Sequence, residues 1–208
     1  MNAIIGSSLL PLWVSLGFFA LIWVYMLIHR QFRLGVRTPE EVTAFLRKID
    51  WDETQEVFDL ARERSLRLYQ SDRHFRRIMR VRIHKAREFI ARMYHNVRVV
   101  HEWANTEVRI ICEKPREMWT DHEQQIMALA AEAAQFRMLA LQRLIQLSVW
   151  TVLRIESWTP VPSIAALRRC GPGGETDLID LYRRLQNSTS QLALAHGLAF
   201  HDEVRGGF

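Results

Sequence analysis

The stretch that decides the fold is Asp72–Glu113, DRHFRRIMRVRIHKAREFIARMYHNVRVVHEWANTEVRIICE. Its apolar residues recur at steps of three or four, which average the 3.6-residue period of an α-helix with one buried stripe. The stripe consists of Phe75, Met79, Ile83, Ala86, Ile90, Met93, Val97, Val100, Ala104, Val108 and Ile111. We predict one helix about 60 Å long, ending near Pro115, because a proline ring cannot continue the helical hydrogen-bond ladder.

A second series of residues in the same stretch is basic. It keeps similar steps and lies about 120° around the helix axis from the apolar stripe. The series consists of Arg73, Arg77, Arg80, His84, Arg87, His95 and Arg98. We therefore predict a basic interaction face, formed by Arg73, Arg77, Arg80, His84, Arg87 and Arg98, although charge runs of this kind also coat helices that are merely solvated.

A second long helix is predicted from Asp121 to about Ser157. Thr120 and Glu123 have the spacing of a capping box, and the apolar residues that follow recur at the same helical steps. Two long helices joined by a short link should lie antiparallel and cover each other's stripes. The apolar run of residues 144–153 is too short to cross a membrane, and it predicts either a buried part of this hairpin or a surface that binds a partner.

Residues 9–28 form an apolar stretch within 26 consecutive uncharged residues, and about 20 apolar residues suffice to span a bilayer as a helix. A cleaved signal peptide is the alternative. It would require a basic leader and small residues at a cleavage site, and the sequence has neither. We predict a single transmembrane anchor.

The flanks of this stretch indicate its orientation. No charged side chain precedes it, whereas Arg30, Arg33 and Arg37 follow it. Because Lys and Arg are enriched on the cytoplasmic side of membrane segments, we expect residues 1–8 outside and the carboxyl-terminal part in the cytoplasm of a bacterial inner membrane.

The rest of the chain predicts shorter helices. Residues 29–71 read as a basic flank and two connector helices, one to about Ile49 and one from about Glu53 to Tyr69. The hairpin occupies residues 72–158, and residues 159–208 contain a glycine loop, a helix from about Asp177 to Ala195 and a loose tail. The predicted fold class is all-α, with a helical bundle built on the long hairpin.

Composition and motifs limit the chemistry. Residues 62–98 carry a net charge of +9 within a chain whose net charge is +5. Cys112 and Cys170 lack the paired spacing of a disulfide framework or zinc site, and Cys112 is predicted to be buried and inert. No histidine has an acidic residue three positions before it, as helical carboxylate and imidazole metal sites require. We predict no catalytic residues, no metal and no cofactor.

These observations favour an interaction protein over an enzyme. We expect a membrane-anchored subunit or scaffold whose helical hairpin binds a protein partner or a second copy of itself. The alternative is a membrane-tethered binder that uses the basic face. Anionic lipid headgroups suit such a face near a membrane, an acidic protein suits it because arginine pairs with carboxylates, and nucleic acid suits it less because few aromatic residues lie among the basic ones.

Overall fold

The computed structural model describes residue 42 and residues 45–152, 163–170 and 176–195. The chain divides into two units, Met1–Val36 and Arg37–Phe208, and every described residue belongs to the second. The predicted anchor at residues 9–28 lies outside the described residues, as do the predicted membrane-flanking residues Arg30, Arg33 and Arg37. Among the described helices, none combines the length and the apolar character that a membrane crossing requires.

Helix accounts for 86% of the described residues, so the prediction of an all-α fold is confirmed. In chain order the helices are α1 (Trp51–Val57), α2 (Leu60–Tyr69), α3 (Asp72–Ile111), α4 (Asp121–Val152), α5 (Ile164–Arg168) and α6 (Leu178–Ala195). A 3-10 turn, Arg116–Met118, joins α3 to α4. Two short strands, β1 (Arg169–Cys170) and β2 (Thr176–Asp177), pair antiparallel between α5 and α6.

Helices α3 and α4 form an antiparallel hairpin. Lys114 contacts Glu123 beside the turn, with 2.6 Å between Nζ and Oε1. Farther from the turn, His101 of α3 contacts Arg137 of α4. From the first contact to the second, the residue number falls in α3 and rises in α4, which is the pattern of antiparallel helices.

The predicted stripe of α3 forms the centre of the core. Ten of its eleven residues are buried, and the exception is the partly buried Val108. The buried part of α3 is wider than this stripe, because α1, α2, α5 and α6 also pack against the helix. Phe89, Val99 and Trp103 are therefore buried as well.

The capping box predicted at the start of α4 is present. The backbone N–H of Thr120 donates to Glu123 Oε2 at 2.8 Å, and the Glu123 N–H donates back to Thr120 Oγ1 at 3.3 Å. Lys114 adds an ion pair to the same carboxylate. The hydrogen bond from Lys114, followed by those from Thr120, lowers the pKa of Glu123 to about 2.

The predicted single helix over residues 53–69 is wrong. Asp59 caps a new helix by accepting a hydrogen bond from the Ala61 N–H at 2.8 Å, and this separates α1 from α2. The connector helix predicted to reach Ile49 also ends earlier, because residues 46–50 are not helical. In this segment the backbone of Arg47 bonds to the side chain of Asn96 instead.

Candidate interaction surfaces

The predicted basic face is exposed along the first half of α3. Its exposed members are Arg73, Arg77, Arg80, His84 and Arg87. At the helical rise of 1.5 Å per residue, the distance from Arg73 to Arg87 along the axis is about 21 Å.

Two acidic residues beside this face pair with basic residues that are not part of it. Glu53 pairs with Lys85, with 2.5 Å between Oε1 and Nζ. Glu88 pairs with Arg92, with 2.5 Å between Oε1 and Nη2. Both carboxylates therefore pair with basic residues beside the face.

The face ends before the position that the sequence predicts. Arg98 is partly buried, and its Nε lies 3.1 Å from Glu102 Oε1. His95 is partly buried too, because its Nε2 lies 3.0 Å from the backbone oxygen of Phe45. Arg98 is therefore not part of the exposed basic face.

Apolar side chains are exposed close to the basic face. Leu68 and Tyr69, at the end of α2, are 78% and 83% exposed, and Val81 lies within the face and is 56% exposed. Leu68 and Tyr69 are the last two residues of α2. Basic residues beside exposed apolar ones are typical of surfaces that contact the headgroup region of a membrane.

Helix α4 carries a second exposed surface, which we call the uncharged face. Its central residues are Ala128, Ala131, Gln135, Met138, Gln142 and Ile145. Gln124 and Val149 extend it by one step at each end. The charged side chains in this part of α4 are Glu132, Arg137 and Arg143, and all three are partly buried, so every exposed α4 residue from Gln124 to Thr151 is uncharged.

The opposite side of α4 is buried in the hairpin, through Ile126, Leu129, Ala133, Phe136, Ala140 and Leu147. Helix α4 is thus apolar or uncharged on two sides, whereas a surface helix usually carries charge on its outer side. Within the apolar run of residues 144–153, Leu147 is buried, while Ile145 and Val149 are 43% and 49% exposed. This run contributes both to the core and to the surface.

Three of the buried polar residues, none of them predicted, join different elements of the bundle, and the first is Asn96. Its Oδ1 accepts the Arg47 N–H at 2.8 Å, and its Nδ2 donates to the Arg47 carbonyl at 2.9 Å and to the Tyr182 hydroxyl at 3.0 Å. Tyr182 is fully buried against Trp51 and Phe136. Burial raises the pKa of Tyr182, so its hydroxyl is neutral. Through Asn96 this hydroxyl links α6 to α3 and to the segment before α1.

Arg82 and Glu63 are the other two. Nη2 of Arg82 donates to the carbonyls of Glu56, Val57 and Asp59 at 3.2, 2.7 and 3.2 Å, which stabilises the break between α1 and α2. Glu63 accepts the Ile164 N–H at 3.0 Å, at the start of α5. With 100° of rotation per residue, Arg82 falls on the same side of α3 as the apolar stripe. Its burial could therefore have been predicted from its position in the sequence.

His101 lies between the two helices of the hairpin. The Nη1 of Arg137 donates to its Nδ1 at 2.7 Å, so Nδ1 carries no proton, since a guanidinium can only donate. Burial, and then the charge of Arg137, lowers the pKa of His101 to about 4. The imidazole is therefore a neutral acceptor at physiological pH.

A cleft of about 1290 Å³ opens between α1, α2, α5 and the start of α6. Its walls carry four carboxylates and five guanidinium groups, so neither charge dominates. Arg168 pairs with Asp177 across one side of it. Within the described part of the chain, no three His, Cys, Asp or Glu side chains group closely enough to hold a metal ion.

Cys112 is exposed at the end of α3. The prediction that it is buried is wrong, because the chain leaves the helix there and turns outward into the segment before α4.

Comparisons with protein-family models, curated proteins and solved structures find no match to this chain.

Proposed function

We propose that this chain is a single-pass, membrane-anchored interaction protein, a subunit or scaffold of a membrane-associated complex. Its helical hairpin binds a protein partner or a second copy in the cytoplasm. The observation that carries the proposal is the uncharged face of α4, which exposes Met138, Ile145 and Val149 on a helix whose opposite side is already buried.

Binding a partner at the uncharged face of α4 would remove its apolar side chains from water. Each Å² of apolar surface removed from water contributes roughly 25 cal/mol of favourable free energy. Because this face carries no charged groups, covering it requires no desolvation of ions. Membrane attachment is supported by the sequence of residues 9–28, and the arginines that follow support a cytoplasmic hairpin in a bacterial inner membrane.

The experiment has two parts. The tagged full-length chain is expressed, and membranes are washed with alkaline carbonate, which should leave it in the membrane fraction. The chain is then extracted in mild detergent and purified with whatever it retains, as wild type, as Met138→Arg and as the control Met118→Arg. Met118 is 71% exposed in the turn between α3 and α4, so it matches Met138 in residue type and exposure.

We expect a constant partner or a second copy to accompany the wild type and the control, and to be lost from Met138→Arg. A carbonate-soluble chain would contradict membrane anchoring. A wild-type chain that is a monomer without any retained protein would contradict the interaction function.

A second candidate function is binding to an anionic surface through the basic face. The observation that favours it is the exposure of Arg73, Arg77 and Arg87 beside the apolar Leu68 and Tyr69. Each basic residue near an anionic membrane contributes on the order of 1 kcal/mol. Lipid headgroups are the favoured ligand, and nucleic acid is the less favoured one.

The test uses full-length protein in detergent or nanodiscs. A variant with Arg73, Arg77, Arg80 and Arg87 changed to Gln is compared with a control of equal charge change. The control replaces four exposed arginines elsewhere: Arg109, Arg116, Arg169 and Arg184. The first variant should bind phosphatidylserine vesicles more weakly and with a flatter salt dependence than the control. Equal losses in both variants would indicate a non-specific charge effect, and salt-sensitive binding to DNA alone would favour nucleic acid.

A further inference from the structure

We propose that the uncharged face of α4 pairs antiparallel with the same face of a second copy of this chain, about a two-fold axis near Gln135 and Met138. The inference rests on the proposed function, because it names the partner of the hairpin. It is argued from the spacing, the side-chain sizes and the charge of the residues on that face.

The spacing is that of a coiled-coil seam. From Gln124 to Val149 the exposed residues of the face follow one another at alternating steps of four and three. This 3.5-residue average keeps a seam directed at a facing helix along its whole length. The buried side of α4 already packs within the hairpin, and the exposed seam supplies a second side for another helix.

Side-chain size selects the antiparallel direction. The two smallest residues of the seam, Ala128 and Ala131, lie in its first half between Gln124 and Gln135. The large apolar residues Met138, Ile145 and Val149 lie in its second half. In an antiparallel pair centred between Gln135 and Met138, Ile145 of one copy faces Ala128 of the other. A parallel pair would place large residues together at one end and small ones at the other, and the helices could not stay equally close.

Charge selects the identical partner. A two-fold interface brings the same patch of both copies together, so any exposed charge near the axis would face its own copy. On the uncharged face there is none, and Met138 beside the axis is 75% exposed. The basic face of α3 would instead bring like charges together in a two-fold pair, which is unfavourable.

The length of the seam sets the strength of the pair. From Gln124 to Val149 the seam runs about 37 Å, and one pair of helices of this length gives an interface at the small end of the range for specific complexes. Attachment of both copies to one membrane raises their effective concentration. A modest interface is then sufficient for association.

Disulfide crosslinking of the full-length chain in membranes tests the register. The background carries Cys112→Ser and Cys170→Ser, which removes both natural cysteines. Met138→Cys should crosslink to its own copy, because the two residues lie about 5 Å apart along the axis of the pair. Ala128→Cys alone should not, because its copies are about 25 Å apart, whereas co-expressed Ala128→Cys and Ile145→Cys chains should crosslink to each other.

A charge at the axis tests the interface independently. Met138→Arg should weaken self-association at least about tenfold, since like charges that face each other across an interface are strongly unfavourable, and Met118→Arg should not. Sedimentation in detergent measures the association, and circular dichroism verifies that both variants retain their helices.

Self-crosslinking of Ala128→Cys would overturn the antiparallel pair, as would a chain that stays monomeric in membranes. If the chain is monomeric but Met138→Arg still loses a retained protein of another kind, the self-pairing is wrong and the proposed interaction function stands. If no crosslink and no retained protein is found, both are wrong.

Discussion

The side-chain amide of Asn96 donates to the hydroxyl of Tyr182 across 3.0 Å, inside a core where both residues are fully buried. The same amide group bonds to the backbone of Arg47. One residue of α3 thereby fastens both the segment before α1 and the last helix of the bundle.

Asn96→Ala should lower the free energy of unfolding by about 2–3 kcal/mol, because it removes a bond to the buried Tyr182 hydroxyl and two partly buried bonds to the Arg47 backbone. Tyr182→Phe should cost about 1 kcal/mol. Urea denaturation of the full chain in detergent, followed by tryptophan fluorescence, measures both. The exposed Asn187→Ala is the control, and a double variant whose loss equals the sum of the single losses would contradict direct coupling of the pair.

Arg82→Met should destabilise the junction of α1 and α2. The substitution keeps an apolar stem but removes the donor to three carbonyls, and unsatisfied buried groups cost about 1–3 kcal/mol each. Hydrogen exchange should show faster exchange of the α1 and α2 amides than of the hairpin amides. The exposed Arg77→Met is the matched control. If the α1 and α2 amides exchange at the same rate in Arg82→Met and Arg77→Met, Arg82 does not have this role.

The stability of the hairpin should decrease as the pH falls from 6.5 towards 4. His101 has a folded pKa of about 4 against an ordinary value of 6.5, so between these values the unfolded chain binds a proton that the folded chain does not. The loss is at most about 1.4 kcal/mol per pH unit from this one group. His101→Gln keeps an acceptor for Arg137 and should remove this slope, whereas the exposed His74→Gln should retain it.

Glu123 should contribute a second, more acidic dependence. Its folded pKa of about 2 lies below the ordinary value of 4.5. Its contribution to stability is therefore present above pH 4.5 and disappears as the pH falls towards 2. The thermal midpoint of Glu123→Gln should lie below that of the wild type at pH 7 and converge with it near pH 2. Glu117→Gln, an exposed change in the same turn, should track the wild type throughout.

Periodicity was sufficient to predict the hairpin. The stripe from Phe75 to Ile111 repeats with the helical period over about ten turns, and a pattern of that length strongly favours one long amphipathic helix. The end of α3 and the start of α4 were also predictable, because Pro115, Thr120 and Glu123 act on their immediate neighbours.

Features that depend on distant residues could not be predicted. The break at Asp59 is stabilised by Arg82, and the non-helical segment around Arg47 by Asn96, which is 49 residues away. The burial of His95 has a similar origin, since its ring contacts the backbone of Phe45, 50 residues away. The uncharged face of α4 was missed because alanine and glutamine give weak signals in a search for apolar stripes.

Hydrogen bonds between distant parts of the chain also bear on the order in which the bundle forms during synthesis. The α3–α4 hairpin involves contacts that are complete once Val152 has left the ribosome. Glu63 can bond to Ile164 only after 101 more residues have been made, and Asn96 can bond to Tyr182 only after 86 more. Because non-local contacts form only after the intervening chain exists, the bonds that join α2 to α5 and α3 to α6 form only after the hairpin is complete.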